Sequence, residues 1–201
     1  MNPSYFSNII RSLSNTGMIT RNQANKKKPF LVFIDSVLRG IGQVMLQNNS
    51  YTGFLFLIGI FYNSLLLGFA TLLGSIISTL SAILLGASPS NIRDGLFGFN
   101  GVLVAIALLY FLEPTWITWG YVILATASST IIMAATLNIT KVWNLPALTA
   151  PFVLTTFLFI LACARFGQLK STGMLPTAGL PSATISIDGI VTVSTILQGI
   201  F

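Results

Sequence analysis

Apolar residues fill most of this chain in long blocks, separated by short polar or Gly- and Pro-containing stretches, and the block lengths predict membrane-type helices. Residues 1–29 stand apart: they are polar and basic, rich in Asn and Ser, and without apolar periodicity. They are expected to form a flexible cytoplasmic leader, since no apolar core followed by a small-residue cleavage site marks a secretory signal. From Phe30 to Leu46 the chain is apolar but interrupted by Asp35, Arg39, Gly40 and Gly42, and it stops at Gln47-Asn48-Asn49-Ser50. A short, partly buried, non-spanning helix is expected there. Gly53 to Leu85 is too long for one untilted span and divides into two helices, expected to meet near Gly68. Gly86 to Asp94 reads as a loop turning at Ser88-Pro89-Ser90. A third span covers Gly95 to Leu112 and is closed by Glu113-Pro114; Trp116, Trp119 and Tyr121 follow, as an interfacial aromatic belt would. The fourth runs from about Ile117 to Asn138. A proline-punctuated stretch then opens at Asn144-Leu145-Pro146, and the fifth span ends near Ala164. Residues 167–181 form a Gly/Pro/Ser/Thr-rich loop, and from Ile185 the chain is apolar again up to Phe201.

Composition strengthens the membrane assignment. Of the 201 residues 54% are hydrophobic and 7% charged, where a soluble domain carries about a quarter charged residues; the mean hydropathy is +0.85. The net charge of +6 does not indicate nucleic acid. Six of the ten basic residues (Arg11, Arg21, Lys26, Lys27, Lys28 and Arg39) form a short N-terminal flank, not an extended binding face. Histidine is absent and Cys163 is the sole cysteine, which excludes disulfide frameworks, Cys/His metal sites and histidine catalysis. With four acidic residues in all, the chain is expected to be neither an enzyme nor the holder of a metal or cofactor.

With the N-terminus inside and five crossings, Arg93 and Lys141 join the basic flank on the inner side, while Arg165 and Lys170 fall outside. Eight against two is the asymmetry the positive-inside rule expects. An echo also appears: Val37-Leu38-Arg39-Gly40-Ile41-Gly42 compares with Ile196-Leu197-Gln198-Gly199-Ile200-Phe201. A unit with an odd number of crossings followed by its copy makes an inverted repeat. The expected fold is therefore an all-α integral membrane protein. It has a leader (1–29), a first repeat of one short helix and five spans (30–165), an extracellular or periplasmic linker (166–184) and the start of a truncated second repeat (185–201).

Three groups of residues could carry chemistry. Asp35, Arg39 and Gln43 share one helical stripe with Leu46, and Asp35 is placed to pair with Arg39. Charged groups at membrane depth face a protein interior or a watery cavity; the competing reading is an interfacial helix whose pair faces headgroups. Gly95, Gly98 and Gly101 flank Phe99-Asn100 and suit close helix contact, with Asn100 able to cap a neighbouring backbone. Between Pro146 and Pro151 lies Thr149. A proline inside a helix would strand the carbonyl four residues back, here Ala147, and irregular backbone at membrane depth suits a buried or cavity-lining position. Such a segment could offer carbonyl and hydroxyl acceptors to a solute rich in N–H groups; the alternative is a simple kink with Thr149 bonded to its own helix.

Leu145-Pro146-Ala147-Leu148-Thr149-Ala150-Pro151-Phe152 resembles the urea-transporter signature Leu-Pro-x-x-Thr-x-Pro-Phe at every specified position. Gln43 to Asn49, followed by Gly53, looks like that family's pore-helix segment, and Gly95 to Leu103 is similar to its third span. The family often carries Phe where this chain has Leu46, and Ser50 stands in place of a proline. The resemblance implies a channel of two inverted halves, each with a re-entrant pore helix and five spans, assembled as a homotrimer with one pore per protomer. It would sit as a multi-pass protein in the plasma membrane or a bacterial inner membrane, surrounded by lipid. Urea or a related amide would pass between apolar walls and oxygen acceptors. By matching motifs, Gln43 would stand at the pore mouth, Thr149 at the central constriction, and Leu46 and Leu103 on the slot walls.

Two other classes compete: half of a secondary transporter, for which Asp35 is the candidate coupling carboxylate, and a non-transporting assembly subunit. The absence of histidine argues against a histidine-lined ammonia pore. The orientation itself is testable by cysteine labelling in the native membrane. A cysteine at position 22 should react only with reagent on the inner side, and one at position 172 only from outside; the reverse pattern would overturn the assignment.

Overall fold

A computed structural model describes residues 29–143, 145–163 and 169–172. Seven α-helices order them: α1 (Pro29–Gln43), α2 (Ser50–Asn63), α3 (Leu65–Leu84), α4 (Pro89–Arg93), α5 (Gly98–Phe111), α6 (Trp116–Thr140) and α7 (Ala150–Cys163), with a 3₁₀ turn at Lys141–Trp143 extending α6. Extended pairing among the described residues is limited to one antiparallel bridge, Leu112 to Ser171. Bonds from Glu113 N–H to the Lys170 carbonyl (2.9 Å) and from Thr172 N–H to the Phe111 carbonyl (2.9 Å) flank it. The chain after α7 thus returns to the end of the molecule where α5 turns into α6. The leader, the 166–184 linker apart from residues 169–172, and the second member of the echo lie outside the described residues.

Several helix limits follow from local chemistry. Asn49 caps α2 by accepting from the Tyr51 N–H (2.9 Å). The break inside the long apolar block comes at Ser64 instead of Gly68. Ser64 is extended (φ −156°, ψ 120°), donates its N–H to the Ile60 carbonyl (2.8 Å) and accepts from the Leu67 N–H (3.3 Å). A serine closing one helix and capping the next is the stronger break. Gly68 stays helical, and the Phe61 ring packs where its side chain would be. The expected 86–94 loop contains the short helix α4, opened by Pro89 in its first turn. Thr115 caps α6 by accepting from the Thr118 N–H (3.2 Å). Of the expected aromatic belt, Trp116 is exposed, whereas Trp119 and Tyr121 pack inward on the cluster of Val104, Ala105, Leu108 and Leu112.

Only α3 and the α6 segment running on to Trp143 are long and apolar enough to cross a membrane among the described residues. The helices α2, α5 and α7 have 14 residues each, about 21 Å at 1.5 Å per residue against a core of about 30 Å. Of the five expected spans, two are therefore matched in length among the described residues.

The centre is a close stack of α3 on α5, with α1, α6 and α7 around it. Small residues allow the approach: a methyl on Gly74 of α3 would overlap the Gly101 carbonyl oxygen of α5, one on Gly40 of α1 would lie 3.0 Å from Gly98 Cα, and one on Gly53 of α2 would fall on the Leu38 carbonyl oxygen of α1. Hydroxyls stitch the same faces, Ser75 donating to the Val37 carbonyl (2.8 Å) and Ser78 to the Thr126 carbonyl (2.9 Å). Gly53→Ala should lower stability by about 1–3 kcal/mol through overpacking. Gly59→Ala, with nothing within 4 Å of its added methyl, should be neutral or slightly stabilising; thermal unfolding in detergent compares the two.

Candidate functional site

The polar stripe of α1 is buried in protein. Asp35 and Arg39 are 5% and 4% exposed, and the Arg39 Nε donates to Asp35 Oδ2 at 2.7 Å. The pair accordingly faces the interior and not headgroups. The Arg39 Nη1 reaches on to Asn48, donating to its carbonyl (3.0 Å) and to its Oδ1 (2.8 Å). Asn48 Nδ2 donates to Asp94 Oδ1 (3.2 Å), and Gln43 Nε2 donates to the Asp94 carbonyl (2.9 Å). Guanidinium only donates, while carboxylate and carbonyl only accept, so neither amide can be turned over. Gln43 is thereby held with its Oε1 left as the available acceptor.

Leu46 owes its position to the end of α1. Leu46 N–H donates to the Gln43 carbonyl (2.8 Å) and Gln47 N–H to the Gly42 carbonyl (3.1 Å), the bond pair of a Schellman cap. The cap needs a left-handed residue, usually glycine, and here Leu46 takes it at φ 57° with 72% of its surface exposed. A second leucine, Leu148, is left-handed at φ 46° just before Thr149. Left-handed bulky residues are uncommon and concentrate where function holds them.

Leu103 is half-buried on α5. It belongs to an apolar cluster built on Phe97, Phe99, Met133 and Ala147, joined by Val44. Leu103 thus shares one apolar cluster with Val44, just after α1, and with Ala147, just before Thr149. Leu46 and Thr149 are exposed, and the described partner of Gln43 is Asp94, not one of the other three.

The proline stretch is not a kink within a helix. Pro151 sits in the first turn of α7, where a missing N–H costs nothing. The Ala147 carbonyl is not stranded; it accepts from Ala150 N–H (3.3 Å). The Thr149 carbonyl accepts from Val153 N–H (3.0 Å), while its hydroxyl bonds to no other described residue. Asn100, fully buried, caps this neighbouring backbone: its Oδ1 accepts from Phe152 N–H at 3.0 Å, and its Nδ2 faces the Met133 sulfur at 3.4 Å. The first turns of α5 and α7 thus meet, so that both short helices start level with each other.

Sequence reasoning missed Asn48 and Asp94. One reads as part of a polar stop and the other as a loop end, and no spacing rule joins positions 46 apart. Among the described residues no group of three or more His, Cys, Asp or Glu side chains could hold a metal ion.

Comparisons with known proteins agree with this outline. A family model described as urea transporter matches residues 34–201. Urea transporter 1 of Ovis aries is 30% identical over 167 residues, which cover 81% of this chain and 44% of the relative. The Capra hircus protein of the same name gives the same values, and that of Rattus norvegicus is 30% identical over 166 residues, covering 80% and 43%. The chain spans less than half the length of these relatives.

The cap of α1 supplies a test. Leu46→Gly should relieve about 1 kcal/mol of left-handed strain and raise thermal stability in detergent, whereas Leu46→Ala should not. A fall on Leu46→Gly would show that packing of the leucine outweighs the strain.

Proposed function

The chain belongs to the urea transporter family, and from that premise we propose that it supplies one half of a passive pathway for urea and related small neutral amides. The observation that carries this reading is the Thr149 hydroxyl, exposed at the start of α7 and bonded to no other described residue. Gln43, with its Oε1 available, would receive the solute at the mouth. Leu46 and Leu103 would form the apolar walls. Water stripped from the solute's N–H groups is replaced by fixed oxygen acceptors, and ions are rejected by the cost of desolvating them on an uncharged path. In this reading the first inverted repeat is residues 30–165, a second repeat completes each pore, and three protomers assemble in the plasma membrane or a bacterial inner membrane.

Coupling to a proton or sodium gradient gains no support from Asp35. Its carboxylate is engaged by Arg39 within the protein, so an accessible coupling site would first have to break a buried pair.

Thr149→Val in the whole protein, reconstituted in proteoliposomes, removes the acceptor at nearly constant shape. One hydrogen bond lost in a desolvated passage costs about 1–3 kcal/mol, so urea flux per folded protein should fall roughly tenfold or more by stopped flow. Thr155→Val should do much less, because the Thr155 hydroxyl is buried and donates to the Pro151 carbonyl (2.7 Å). Equal flux for wild type and Thr149→Val would end the assignment.

A further inference from the structure

We propose that Asn100 is a positioning residue that keeps the Thr149 hydroxyl available to solute by capping α7 in its place. The inference rests on the proposed pathway and adds a residue that touches no solute itself.

Thr149 precedes the first residue of α7, and its carbonyl accepts the first intrahelical bond, from Val153 N–H at 3.0 Å. That makes it the N-cap. A threonine there ordinarily turns its hydroxyl onto the N–H of the second or third helical residue. Neither target is open. The second residue is Pro151, which has no N–H. The third is Phe152, whose N–H already donates to Asn100 Oδ1 at 3.0 Å.

The four backbone positions at this helix start are then fully accounted for. Ala150 N–H donates to the Ala147 carbonyl, Pro151 has nothing to donate, Phe152 N–H donates to Asn100, and Val153 N–H to the Thr149 carbonyl. No first-turn donor remains for the Thr149 hydroxyl. In an apolar setting every such donor has to be matched within the protein, and here a side chain from another helix completes the match. Burial holds the Asn100 amide in this role, since the residue is 0% exposed and only its oxygen can meet an N–H. Proline at 151 and asparagine at 100 thus act together on one hydroxyl.

Two substitutions should undo the arrangement by different routes. Asn100→Leu leaves the Phe152 N–H unpaired, and the Thr149 hydroxyl is expected to rotate onto it. Pro151→Ala, in a helix first turn that tolerates either residue, creates a second N–H for the same hydroxyl to cap. Each should lower urea flux per folded protein by roughly the tenfold expected of Thr149→Val, the loss of one acceptor. Each should also shift the urea-to-acetamide flux ratio as Thr149→Val does. In the Thr149→Val background neither should add a further loss, which separates positioning from damage to the fold, where losses multiply.

Stopped-flow measurement on the whole protein in proteoliposomes, with folded protein quantified by size exclusion, reads all of these. Losses that multiply in the double variants would overturn the inference. So would unchanged flux in Pro151→Ala, which stands as the test even if Asn100→Leu does not fold. If wild type carries no urea, or if Thr149→Val equals wild type, the pathway itself fails. If Thr149→Val loses flux while Asn100→Leu and Pro151→Ala do not, only the role of Asn100 fails.

Discussion

An apolar chain has to satisfy its backbone donors and acceptors from within, because neither lipid nor a packed interior offers replacements for water. That requirement bears hardest where helices start or stop away from the surface. In this protein α5 and α7 begin level with each other, with Asn100 of one bonded to Phe152 N–H of the other. The irregular stretches before them are accepted because side chains complete them: Asn100 at α7, and Gln43 and Asn48 on either side of Asp94 before α5. Neither the Thr149 hydroxyl nor Gln43 Oε1 is used in this closure, and the proposed pathway assigns both to the solute.

Close packing makes the polar closure geometrically feasible. Gly95 takes a left-handed conformation (φ 72°) and approaches so near that an added methyl would overlap the Gly40 N–H and the Arg39 carbonyl carbon. Serine and threonine hydroxyls on α1-, α3- and α6-facing surfaces bond to carbonyls of neighbouring helices or of their own. With side chains this small, the van der Waals contact between helices is made largely by backbone. The large apolar side chains mostly point outward, among them Phe54, Leu55, Ile58, Tyr62 and Phe69. This is the inverse of a soluble core and suits a lipid surrounding.

The buried Asp35–Arg39 pair is best understood as part of the frame. Burying an ion pair gains little net stability unless its remaining hydrogen-bonding capacity is used. Arg39 uses it on Asn48, and Asn48 passes the constraint to Asp94 and so to Gln43. Removing one member would leave a charge without its partner in the interior, which is the expensive alternative. The charge lies in the scaffold and not on the proposed path.

The amino-acid sequence alone determined what depends on composition and on neighbours within a turn or two. The apolar blocks set the class and the order of helices, and the i, i+4 spacing of Asp35 and Arg39 set their pairing. The string from Leu145 to Phe152, with Gln43–Asn49 and Gly95–Leu103, pointed to the family that the comparison bears out. Tertiary structure decided what depends on distant partners. By pattern Gly68 is the natural break, yet the chain breaks at Ser64, which closes one helix and caps the next, while the Phe61 ring packs against Gly68 inside the second helix. Pro151 could be a kink or a first-turn residue, and the capping bond from a position 52 residues away goes with the second. Asn48 and Asp94 carry no local signature at all, since a polar residue at a helix stop and an acid at a loop end are common in any chain. Local spacing rules reach only as far as one helix surface; which acceptor meets which donor across helices is settled when the helices pack.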